Sequence, residues 1–158
     1  VGTITRLENM GVPNYLLAPT LDIAISQRLI KKMCPYCRES FTPEKRYLDK
    51  LDKDVGLYAS LTKLKKMKLI SYPKPGDIRL FRSLGCARCS GKGFIGRIGV
   101  YEIFNSNKVL QQMIMDGESE EKLRKYAESH GMLSMFEDGL LKALNGLTTI
   151  EAMVDVVR

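Results

Sequence analysis

Two short stretches, Cys34-Pro35-Tyr36-Cys37 and Cys86-Ala87-Arg88-Cys89, decide how this chain is read. They hold all four of its cysteines and lie 48 residues apart, from Arg38 to Gly85. In a CxxC knuckle both thiolates point to one side of a tight turn whose backbone N–H groups can donate to sulfur. Two knuckles facing each other therefore make a tetrahedral four-sulfur site. Soft thiolates select zinc or iron, and a closed four-thiolate zinc site leaves no position open for catalysis. The expected metal ligands are Cys34, Cys37, Cys86 and Cys89, and the expected cofactor is a structural Zn2+. A pair of redox motifs and a set of unrelated buried thiols are the other readings of the same spacing. A redox CxxC needs a low-pKa thiol at a helix N-terminus. The pattern before Cys34 predicts instead a helix ending there, whose C-terminal dipole opposes a thiolate.

That helix is read from Leu21, Ile25, Leu29 and Met33, apolar positions recurring every four residues after Thr20, with Lys31 and Lys32 in its last turn. Upstream, the pattern predicts a helix over 3–10 stopped by Gly11, and Pro13 suits the first turn of the next. Between the knuckles, helices are expected over 44–54 and 57–69. The run Tyr72-Pro73-Lys74-Pro75-Gly76-Asp77 then breaks the pattern, and a strand is expected over 78–83. A second strand is expected over 97–104. Helices follow over 108–115, over 120–130 with Ser119 as cap, and over 133–144. A last helix is opened by the T-x-x-E spacing of Thr148-Thr149-Ile150-Glu151, with Ile150, Met153, Val154 and Val157 on one face. The chain is thus expected to be α+β and mainly helical, with a long loop clamped at its base by the metal.

With 158 residues, 44% hydrophobic and 27% charged, the composition excludes disorder and collagen-like repeats. The longest apolar runs, such as 15–18, fall far short of the roughly 20 residues that cross a bilayer, so the chain reads as soluble and cytosolic. It opens at Val1 inside a helical pattern, which suggests excision from something longer. The net charge of +7 is local: residues 61–82 carry seven basic side chains and one acidic, while 107–158 carry six basic and nine acidic. Lys63, Lys65, Lys66 and Lys68 form either a solvated helix face or a contact for phosphate or an anionic membrane surface. An alternative function follows, a basic zinc-ribbon module binding nucleic acid through 61–82, although only Tyr72 and Phe81 are there to stack on bases.

No complete catalytic constellation is present. Gly91-Lys92-Gly93 fails the phosphate-loop pattern, since Cys86 stands where its first glycine belongs and Gly93 where the magnesium-binding hydroxyl belongs. His130 is the single histidine and is expected at a helix end. Glu120 and Glu121 are adjacent and suit a helix start better than acid–base work.

Several blocks, in order, resemble one family. They are Thr5-Arg6-Leu7-Glu8-Asn9-Met10-Gly11-Val12, Ile25-Ser26-Gln27-Arg28-Leu29-Ile30, the two CxxC pairs and Gly96-Arg97-Ile98-Gly99-Val100-Tyr101-Glu102. Asp138-Gly139 and Gly146-Leu147-Thr148-Thr149-Ile150-Glu151 complete the series. Together they resemble the C-terminal region of the type II secretion and type IV pilus assembly ATPases. The tetracysteine insertion is similar to the assembly and secretion branch and not to the retraction ATPases.

The resemblance implies the tail of a RecA-like motor domain over 1–33, a tetracysteine zinc subdomain over 34–93, and a C-terminal strand plus helical subdomain over 94–158. It implies a homo-hexameric parent that hydrolyses ATP with Mg2+ and extrudes pilin or pseudopilin subunits. The parent would be cytoplasmic and would sit peripherally on inner-membrane platform and adaptor proteins. The Walker boxes would precede Val1, so this chain would transmit motion and hydrolyse no ATP alone. No nucleic acid is expected as partner. Arg28 would lie in the motor tail, either near nucleotide or in a structural salt bridge.

Overall fold

The structure, a computed structural model, describes residues 1–71 and 77–157. All of the break expected over 72–77 except Asp77 falls outside the described residues, as do the side chain of Val157 and all of Arg158. Among the described residues the chain is α+β, with eight α-helices and two two-stranded sheets. In order these are α1 (Thr3–Asn9), α2 (Asn14–Thr20), β1 (Ile23–Met33), β2 (Arg38–Phe41), α3 (Lys45–Val55), α4 (Leu57–Lys66) and β3 (Leu80–Ser83). A short 3-10 turn (Ala87–Cys89) leads to β4 (Phe94–Asn105), α5 (Lys108–Met115), α6 (Glu120–Ser129), α7 (Met135–Leu144) and α8 (Ile150–Val157). No helix among the described residues is long and apolar enough to cross a membrane.

The helix expected between Thr20 and Met33 is a strand. Apolar residues four apart share a face in both geometries, because four is close to one helical turn and is also twice the strand repeat. The β-branched Ile23, Ile25 and Ile30 favour the extended form. Of the face inferred from the helical pattern Met33 is buried and Leu21 half-buried, but Ile25 and Leu29 are exposed, and the buried Ile30 lies off it. Strand β1 pairs with β4. Beyond one end Cys34 N–H donates to the Gly93 carbonyl at 2.9 Å, and beyond the other Ser106 N–H donates to the Asp22 carbonyl at 2.8 Å, so the strands run antiparallel.

The chain forms two compact units, residues 1–26 with 101–134, and residues 27–100 with 135–158. In the first, Ile4, Leu17, Ala18, Phe104, Leu110, Ile114 and Leu123 are buried together. Helices α5 and α6 begin at side-chain caps. Asn107 accepts from the amides of Val109 and Leu110, and Ser119 accepts from that of Lys122. Arg124 donates to Glu102 at 3.1 Å. Burial pushes the Glu102 carboxyl up, and the hydrogen bond and charge of Arg124 pull it down. His130 follows α6, with its ring stacked on Tyr126 at 4.0 Å between centroids.

In the second unit α3 and α4 form a hairpin that buries Leu48, Leu57 and Leu64, and α7 packs on α8 through Leu140, Ala143 and Met153. Lys63 donates to the buried Glu137 at 2.8 Å, tying α4 to α7. The segment from Gly146 to Thr148 runs beside β1. Met33 N–H donates to the Leu147 carbonyl at 2.8 Å, and the Thr148 hydroxyl to the Lys31 carbonyl at 2.9 Å. The cap of α8 is therefore one residue later than the T-x-x-E spacing suggests. Thr148 is spent on β1, and Thr149 Oγ1 accepts from the amide of Ala152 at 3.2 Å. Glu151 accepts instead from the Tyr47 hydroxyl.

Gly139 faces α8 so closely that a Cβ there would lie 2.4 Å from Met153 Cγ. Gly139→Ala would gain helix propensity of roughly 1 kcal/mol. The overpacking outweighs it, and a net loss of about 1 kcal/mol or more is expected in chemical denaturation. A variant as stable as the parent chain would show that α7 and α8 are not packed this tightly.

Candidate metal centre

The two knuckles are brought together by β2 and β3. Strand β2 begins directly after Cys37 and β3 ends three residues before Cys86. They pair antiparallel in the register Arg38 with Ser83, Glu39 with Arg82, Ser40 with Phe81 and Phe41 with Leu80. Leu84 N–H extends the ladder to the Cys37 carbonyl at 3.1 Å. On the other side the Cys34 amide reaches the Gly93 carbonyl. Strand pairing thus closes the long loop at its base, while the α3–α4 hairpin occupies its far end.

The second knuckle folds over glycines for a steric reason. Gly85 has φ +81°, and a Cβ on it would lie 2.5 Å from the Gly91 carbonyl oxygen. Gly93 has φ +77°, and a Cβ there would fall 2.8 Å from Ser83 Oγ. Arg88, at the tip of this knuckle, stacks on the ring of Tyr36, at the tip of the other, with 3.9 Å from guanidinium to ring centroid.

Cys34, Cys37, Cys86 and Cys89 all converge, with their sulfurs within 4.8 Å of one another. The Sγ separations are 3.8 Å for Cys34 and Cys86, 3.8 Å for Cys37 and Cys89, and 3.7 Å for Cys86 and Cys89. Four sulfurs at about 2.3 Å from a central zinc define a tetrahedron with edges of about 3.8 Å, so the spacing fits that ion. A disulfide would need sulfurs about 2 Å apart, and all four cysteines are free. The dipole argument against a redox pair lapses, because β1 and not a helix leads into Cys34. The cross-knuckle convergence of four sulfurs takes its place.

The sulfurs differ in their surroundings. Burial pushes the Cys34 thiol up to about 11, against the pull of the Tyr36 amide. Burial also pushes the Cys89 thiol up, but the amides of Cys86 and Gly93, at 3.1 and 3.2 Å from its sulfur, and the neighbouring thiols bring it down to about 6. The metal-free cluster thus holds an easily ionised thiol beside one that keeps its proton. Cys37 Sγ lies 3.1 Å from Ser83 Oγ. The spacing of the cysteines gave no signal for Ser83, nor for the Tyr36–Arg88 stack.

The other expected residues lie elsewhere. Arg28 donates to the Val156 carbonyl. Of the lysine run, Lys63 is engaged with Glu137, while Lys65, Lys66 and Lys68 are exposed. Tyr72 lies outside the described residues. Phe81 has its ring against Gly146, where a Cβ would lie 2.9 Å from it, and Arg38 above it at 6.0 Å.

The family described as "Type II/IV secretion system protein" matches residues 1–155. Among curated relatives, the type IV pilus assembly ATPase PilB of Thermus thermophilus is 30% identical over 96% of this chain and 15% of its own length. The type II secretion system ATPase E of Vibrio cholerae is 28% identical over the whole chain and 27% of its own length. A protein transport protein HofB homolog of Escherichia coli is 30% identical over 98% of the chain and 29% of its own length. The chain therefore spans less than a third of the length of these relatives.

Metal uptake must expel the proton that Cys34 retains, so the metal-bound state carries fewer protons than the metal-free state. Acidification therefore favours the metal-free state, and affinity for zinc should rise with pH through the neutral range. Zinc titrations at a series of pH values check this, and an affinity that does not change with pH would contradict it. Stripping the metal with a chelator should raise amide exchange in 34–41 and 80–93 while leaving α5 and α6 protected. A uniform rise across both units would contradict it.

Proposed function

The chain belongs to the type II/IV secretion system protein family, and from that premise we propose that it is a non-catalytic, zinc-bearing module of a hexameric, RecA-like ATPase that powers type II secretion or type IV pilus assembly. The observation that carries this reading is a match over 1–155 that encloses the four converging sulfurs. The names of the relatives, pilus assembly and secretion ATPases, support a role in that machinery.

The module's task on this reading is mechanical. When bound, zinc supplies a redox-inert cross-link between the 34–37 and 86–89 knuckles. Cys34, Cys37, Cys86 and Cys89 hold it, the β2–β3 ladder aligns them, and Arg88 on Tyr36 joins the knuckle tips. The α3–α4 hairpin then stands on a base that cannot fray when loaded, and the Lys63–Glu137 pair passes that load to α7. Hairpin motion would reach inner-membrane platform and adaptor proteins, which hold the assembly at the cytoplasmic face of the membrane. ATP and Mg2+ belong to the whole ATPase, since no phosphate loop occurs in this sequence.

The test is the double variant Cys86→Ser, Cys89→Ser in the full-length protein in its host. Secretion or piliation should be lost while the protein stays at its normal level, and the isolated 158-residue chain should turn over no ATP. Normal secretion or piliation by the double variant, or ATP turnover by the isolated chain, would contradict the reading.

A further inference from the structure

We propose that Ser83 is a positioning residue of the metal centre: its hydroxyl donates a hydrogen bond to the Cys37 thiolate and holds that sulfur on the ion. The inference rests on the reading that the four cysteines bind one metal. The sulfurs of a thiolate site carry excess negative charge, and outer-shell donors to them steady the ligand and slow its release. Here those donors are unevenly supplied. Cys89 accepts from two backbone amides, those of Cys86 at 3.1 Å and Gly93 at 3.2 Å. Cys34 is served by the Tyr36 amide. For Cys37 the donor among the described residues is a side chain, Ser83 Oγ at 3.1 Å, from a residue 46 positions away. A metal-bound thiolate has no proton to give, so the hydroxyl must be the donor.

The placement of Ser83 is fixed from three directions. It ends β3 and pairs directly with Arg38, the residue after Cys37, so a slip of one residue in the ladder would turn its side chain to the other face. The next residue, Leu84, is held to the Cys37 carbonyl. On the far side Gly93 leaves the space that the Ser83 side chain fills, for a Cβ there would come within 2.9 Å of Ser83 Cβ. The same Gly93 donates its amide to Cys89 and its carbonyl accepts from Cys34. Ser83 thus couples the ladder that aligns the knuckles to the Cys37 sulfur.

The test uses the full chain loaded with cobalt(II), whose sulfur-to-metal charge-transfer bands report the electron density on the thiolates, together with release of the ion to excess chelator. Ser83→Ala should release cobalt about tenfold faster and move the charge-transfer band to lower energy. Ser83→Thr, which keeps the hydroxyl, should restore both. Equal release and an unmoved band in Ser83→Ala would overturn the role of Ser83. So would Ser83→Ala and Ser83→Thr that release equally fast, because the hydroxyl would then not be what acts. If the unsubstituted chain gives no tetrahedral thiolate spectrum with cobalt, the metal reading itself fails, which separates the two failures.

Discussion

Four sulfurs drawn within 4.8 Å of one another, from knuckles whose cysteines lie 52 residues apart, are the constraint on which the second unit depends. A cluster of thiols has no intrinsic attraction strong enough to close a loop of that length. Closure is shared between the β2–β3 ladder, which sets register, and a metal, which would convert four mutually repelling thiolates into one cross-link. The glycines around the second knuckle follow from the crowding this produces: at Gly85 and Gly93 any side chain would collide with the backbone or side chain opposite.

The same logic extends to the end of the chain. Gly146 lies against Phe81 of β3, Arg38 of β2 donates to its carbonyl at 3.0 Å, and Leu147 and Thr148 bond to β1 just before Cys34. The strand that enters the first knuckle and the ladder that joins the two are both held by this turn. Gly139 then lets α7 close on α8 behind it. Two of the sequence blocks that resemble the secretion and pilus ATPases, around Gly139 and around Gly146 to Glu151, are thereby given structural work near the cysteines.

Much of this was legible in the sequence, for identifiable reasons. The four ligand candidates follow from spacing alone, because few arrangements satisfy two CxxC turns. Helices α3 to α6 were expected close to where they lie, and α6 carries a clear start signal in Ser119. Strand β1 was not legible, because its four-residue apolar repeat fits either period and its partner β4 lies some 60 residues on. The T-x-x-E spacing pointed to Thr148 as a cap, and only the fold shows that the backbone of Lys31 claims it and leaves the role to Thr149. Ser83 carried no local signal at all, since its importance comes from strand register and from the space left by a glycine elsewhere.

The most direct test of this account is X-ray absorption at the zinc edge on the purified chain. It should show a single shell of four sulfurs at about 2.3 Å and no nitrogen or oxygen ligand. A mixed shell, fewer than four sulfurs, or purified protein without zinc would contradict the claim that these four cysteines form one structural metal centre.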